Sequence, residues 1–118
     1  MYSVQCTCID RAKTDDWLWS RFYRTPVMST YLLAVVVSDY VYVERKYVVC
    51  QRSVTMRFWS APGRLEQVDF IVNLAPKMLR FLENYFKMAF TLPKIDFIAL
   101  PQIDFFSAME NWGLIVFK

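Results

Sequence analysis

Among the residues able to do chemistry, Glu110 is set apart by its surroundings. It lies in Ser107-Ala108-Met109-Glu110-Asn111-Trp112-Gly113, between the apolar run Ile103–Phe106, interrupted by Asp104, and the apolar run Leu114–Phe117. Carboxylates are rarely buried without a partner, so a lone Glu among apolar and uncharged neighbours points to a cleft or a cationic partner. The plainer alternative is a loop carboxylate facing water, since loops routinely carry charges. The local pattern leaves both open.

Other catalytic chemistry is scarce. The chain contains no histidine, which removes the commonest general base and the commonest metal ligand. Its cysteines are Cys6, Cys8 and Cys50. A Cys-x-Cys pair with one distant partner falls one ligand short of a structural tetrahedral site, and the odd count suggests ordinary thiols with one unpaired.

The elements that must position Glu110 follow from the patterning. A chain of 118 residues allows one domain or two small parts. Hydrophobic residues make up 56% and aromatics 18%, with two glycines. That excludes disorder and implies more apolar surface than so short a chain hides alone. The net charge of +3 gives no polybasic or acidic tract and no sign of nucleic acid or anionic lipid as partner. Trp17–Arg24 interleaves aromatic and basic residues, but without an RNA-binding pattern the expected role of its rings is packing on a neighbouring sheet. Met1–Cys8 lacks the basic start and apolar run of a secretory signal. The longest apolar run, Tyr31–Val37, is far short of the roughly 20 residues of a membrane span.

Met28–Asp39, with the β-branched run Val35–Val37, is expected to be a strand buried on both faces. Val41–Val49 and Ser53–Ser60 read as two strands joined by a turn; the second alternates Val54, Met56 and Phe58 against Thr55, Arg57 and Trp59 and is stopped by Pro62-Gly63. Leu65–Phe90 is periodic at helical spacing. Pro76 inside it predicts a kink or two abutting helices near Asn73, and the stripe Met78, Phe81, Tyr85, Phe86, Met88 is expected in the core. A short strand follows between Pro93 and Pro101, bracketed as at a sheet edge. The chain then loops through Gln102–Asn111 and returns as a strand over Leu114–Phe117.

Four segments, in order, resemble the aminopeptidase N-like zinc metallopeptidases. Thr25-Pro26 with Met28–Ala34 and then Val37-Ser38-Asp39 is similar to the stretch that closes that family's N-terminal β-domain. Phe58–Pro62 resembles, more loosely, its Trp-Ala-Arg-Pro stretch, and Leu92-Pro93-Lys94-Ile95-Asp96 its Pro-Leu-Pro-Lys-x-Asp stretch. Ala108–Gly113 resembles the exopeptidase signature Gly-Ala-Met-Glu-Asn, followed by Trp-Gly.

The resemblance implies an α+β fragment: residues 1–40 as the C-terminal part of a β-sandwich-like domain, and 41–118 as the truncated start of a thermolysin-like catalytic domain with a small sheet and one kinked helix. It implies that Glu110 grips the α-amino group of a peptide substrate, with Ser107, Ala108, Met109 and Asn111 lining the same site. The implied cofactor is zinc, held in the family by HExxH and a later Glu, a site this chain cannot build without histidine. Neither catalytic residues nor metal ligands are therefore expected here, and no peptide hydrolysis by the chain alone. The implied partners are peptide N-termini and the remainder of a parent polypeptide. The family includes membrane-anchored ectoenzymes and cytosolic enzymes, so compartment stays open. Two departures bear on the site. Ser107 stands where the family has Gly, and five residues separate Pro101 from Ser107 where four are common. A non-catalytic relative that binds peptides or proteins through the same segment is the alternative.

Overall fold

The computed structural model describes residues 2–4, 8–14, 17–49, 52–101 and 107–118. Among these residues it is an α+β arrangement of three sheets and one α-helix. The strands are β1 (Tyr2–Val4), β2 (Cys8–Thr14), β3 (Trp17–Phe22), β4 (Val35–Val37), β5 (Val41–Val49), β6 (Arg52–Ser60), β7 (Lys94–Ala99), β8 (Ala108–Asn111) and β9 (Leu114–Phe117), with helix α1 at Asp69–Phe86. β1 pairs with β4 and β2 with β3, both antiparallel. The remaining strands form one five-stranded sheet in the order β5-β6-β7-β9-β8.

Two faces of this sheet are covered by different parts of the chain. On one, Val54, Met56, Phe58 and Ile95 pack against Val68, Val72, Ala75 and Leu79 on and just before α1. On the other, Trp59, Ile98, Leu114 and Val116 pack beneath Ala34, Val36, Tyr40 and Leu100. The alternation within β6 places Met56 and Phe58 at full burial beside the helix, while Trp59 anchors the opposite cluster. Phe58 stacks on Phe97 with ring centroids 5.0 Å apart. Helix α1 is the crossover that makes β6 and β7 parallel.

Several expectations need correction. β7 is central, hydrogen-bonded to β6 and β9, and not an edge. Its bracketing prolines lie outside the strand, so no ladder donor is lost; Pro93 even contributes its carbonyl to Thr55 N–H at 3.0 Å. Helix α1 runs unbroken through Pro76 rather than dividing near Asn73, preceded by a 3₁₀ turn at Leu65–Val68. It stops at Phe86, short of Phe90, where Lys87 turns left-handed with φ 54° and Met88 N–H returns to Glu83 O at 3.2 Å. Met78, Phe81, Tyr85, Phe86 and Met88 are all exposed, whereas Val72, Ala75 and Leu79 form the buried stripe of the helix. Only Val35–Val37 of the segment 28–39 is strand, and it is not buried on both faces. Val36 faces the core whereas Val35 and Val37 are 60% and 66% exposed. The rings of Trp17, Trp19 and Tyr23, expected to pack on a neighbouring sheet, stand 72%, 67% and 60% exposed. Cys6 and Cys50 lie outside the described residues. No helix is long and apolar enough to cross a membrane among the described residues.

Candidate functional site

Glu110 sits not in a loop but in β8, the outermost strand of the five-stranded sheet. The strand exists because Trp112-Gly113 closes a two-residue turn onto β9, with Gly113 at φ 74°, a conformation that favours glycine. The register pairs Ala108 with Phe117, Met109 with Val116, Glu110 with Ile115 and Asn111 with Leu114. One edge of β8 is thus occupied by β9 while no described strand pairs with the other.

Alternation then sorts the candidate residues. Glu110 and Ala108 are exposed, Met109 is half-buried and Asn111 is 4% exposed. Asn111 Nδ2 donates to the carbonyl of Leu32 at 2.9 Å, tying β8 to the 3₁₀ turn Thr30–Leu32. Its side chain is therefore committed to the chain's own backbone, on the sheet face opposite Glu110. Ser107 is exposed, and its carbonyl accepts from Lys118 N–H at 3.1 Å. Its φ is not positive, so the departure from Gly carries no left-handed strain. The longer connection at 102–106 lies outside the described residues.

Ile115, the partner of Glu110, also lines an apolar groove of about 550 Å³ between the sheet and α1. Met56, Ile95 and Phe97 form its floor and Met78, Leu82 and Phe86 of the helix its wall. The carboxylate thus stands on the rim strand of the sheet face that carries this groove.

Beneath the turn is a buried ion pair. Lys94 Nζ lies 2.6 Å from Asp96 Oδ2, with the two side chains 4% and 2% exposed. The same ammonium donates to Gly113 O at 2.9 Å, and Asp96 N–H donates to that carbonyl at 3.0 Å.

Residues 70–118 match the Peptidase family M1 domain. Over 103 residues, 87% of the chain, it is 42% identical to the aminopeptidase N of Haemonchus contortus. It is 40% identical over 103 residues to human aminopeptidase Q, and 39% identical over 100 residues to the alanine/arginine aminopeptidase of Saccharomyces cerevisiae. The chain belongs to the aminopeptidase N-like M1 peptidases. It spans about 10% of the length of these relatives.

This M1 chain does not fit the metal the family implies. It has no histidine, and among the described residues no three His, Cys, Asp or Glu side chains are grouped to hold an ion. What it offers is an exposed carboxylate on a strand edge, with its immediate neighbours held from below. Lys94 and Asp96 had no assigned role in the sequence, yet the signal was there. Two opposite charges two positions apart on an otherwise apolar strand must share one face, and their neighbours leave them each other as partner.

Proposed function

We propose that this M1 chain supplies the part of an aminopeptidase that recognises the free amino terminus of a peptide. Glu110 is the recognising group. An α-ammonium brought against the sheet loses water, and a carboxylate at that point restores its interactions through charge-assisted hydrogen bonds of about 1.5–3 kcal/mol each. An internal peptide segment has no ammonium, so the same carboxylate selects chain ends. The unpaired side of β8 allows an extended peptide to add as a further strand, its backbone bonded along the edge and its first residue near Glu110. Ala108 and Met109 belong to that strand and Ser107 to its entry, while Asn111 holds the strand from behind. The observation that carries the reading is the exposure of Glu110 on the edge strand.

The metal site and the hydrolytic groups belong, in this reading, to polypeptide that the relatives have and this chain does not span, so the chain alone does not cleave peptides. Residues 41–118 are the start of the catalytic domain and 1–40 the end of the domain before it. The exposed apolar side of α1 (Phe81, Tyr85, Phe86) and the groove beside it are the surface on which the rest of the polypeptide packs.

The test is an amide-detected NMR titration of the chain with trialanine amide and with its N-acetylated form. The free-amine peptide is expected to shift the Met109–Asn111 amides and to bind several-fold more tightly than the acetylated one, a preference that Glu110→Gln removes. Equal binding of the two peptides, or a preference that survives in Glu110→Gln, overturns the reading.

A further inference from the structure

A buried ion pair such as Lys94–Asp96 is weak evidence for stability. Charges removed from water regain their hydration only through well-placed partners, and apolar residues of similar size often serve a fold equally well or better. Geometric specificity is the better account, and the element in need of it is β9. Leu114-Ile115-Val116-Phe117 is apolar at every position, so hydrophobic patterning alone does not distinguish its two faces. A slip of one residue would exchange those faces, and in the hairpin it would carry Glu110 from one side of the sheet to the other.

The polar contacts resist that slip. Gly113 O receives two donors from β7, Lys94 Nζ at 2.9 Å and Asp96 N–H at 3.0 Å, and Asp96 in turn holds the ammonium at 2.6 Å. This sets Asp96 beside Leu114 in the parallel ladder. The turn then sets Asn111 opposite Leu114 and Glu110 opposite Ile115. An ammonium has donors for both a carboxylate and a carbonyl at once, which an apolar side chain cannot replace. Moving Gly113 away would strand a buried ammonium without one of its acceptors.

We propose that Lys94 and Asp96 are positioning residues for amine recognition: by clamping the Gly113 carbonyl they fix the register of the β8–β9 hairpin and hence the face and place at which Glu110 stands. The inference rests on the proposed role of Glu110. It acts through backbone geometry and not by contact with substrate.

The experiment compares wild-type chain, Glu110→Gln and the double variant Lys94→Met/Asp96→Leu in the same free-amine and acetylated trialanine titration, with thermal melting and amide hydrogen exchange on each. The double variant removes both charges together and so avoids leaving one buried alone. The expected result is a melting transition close to wild type, faster amide exchange at Leu114 and at the substituted position 96, and a free-amine preference reduced at least fivefold, towards that of Glu110→Gln. A double variant that melts like wild type and keeps the full preference overturns the proposal. If that variant does not fold, Lys94→Met/Asp96→Asn, which also removes both charges and is near-isosteric at position 96, decides: a folded protein with undiminished preference overturns the proposal, and a folded protein with reduced preference supports it. A wild-type chain without preference, or a Glu110→Gln variant that keeps it, defeats the reading of Glu110 and the clamp with it. Loss in Glu110→Gln alone defeats only the clamp.

Discussion

Glu110 and Asn111 are neighbours in one strand and face opposite sides of the sheet. The carboxylate is exposed on the groove side, while the amide beside it is 4% exposed and bonded to Leu32 O at 2.9 Å. One residue stands exposed on the edge strand; the next fastens that strand to an earlier part of the chain. The two are therefore expected to respond to substitution in opposite ways.

Asn111→Ala leaves the Leu32 carbonyl without this donor and a space where the amide stood. Burial of an unsatisfied group of this kind costs about 1–3 kcal/mol, to be read from the urea midpoint of the chain. Asn111→Asp is expected to cost more, because it sets a carboxylate against a carbonyl oxygen. An unchanged midpoint in both variants would show that the Asn111–Leu32 bond contributes nothing to the fold.

Glu110→Gln should leave stability almost untouched. The side chain is exposed and its charge holds no described partner in the fold, so the change belongs to the surface class, within about 0.5 kcal/mol. A large drop in the same denaturation series would mean that Glu110 serves the fold and not recognition.

Gly113→Ala places a Cβ at φ 74° in the turn that Lys94 and Asp96 clamp. The left-handed conformation costs a non-glycine residue about 1–2 kcal/mol. Denaturation should show that loss. Hydrogen exchange should place the weakening at β8 and β9, with the Met56 and Phe58 amides of β6 unaffected below global unfolding.

Pro76→Ala is expected to stabilise. Proline at this point of α1 withdraws the N–H that would reach Val72 O, and a helix interior prefers Ala to Pro by up to about 3 kcal/mol. Part of that gain is lost because the unfolded chain also becomes freer. A rise in the thermal midpoint checks it; a fall would mean that the Pro76 ring is needed by its packing.

The amino-acid order by itself determined a good deal. The β5–β6 hairpin follows from alternation through Val54, Met56 and Phe58, and α1 from helical spacing, because both patterns are local consequences of backbone period. The family was legible from Ala108–Gly113, since a run of such composition is specific without any fold. Tertiary structure decided what depends on neighbours from elsewhere in the chain. β7 is central because β9 returns to its free side, which no pattern within Lys94–Ala99 records. The apolar stripe of α1 stays exposed because only part of the helix circumference meets the sheet. Asn111 is tied to an earlier part of the chain because Leu32, 79 positions away, presents its carbonyl there. Lys94 and Asp96 show both at once. Their spacing fixed a shared face, but only the returned hairpin put the Gly113 carbonyl within reach of the ammonium.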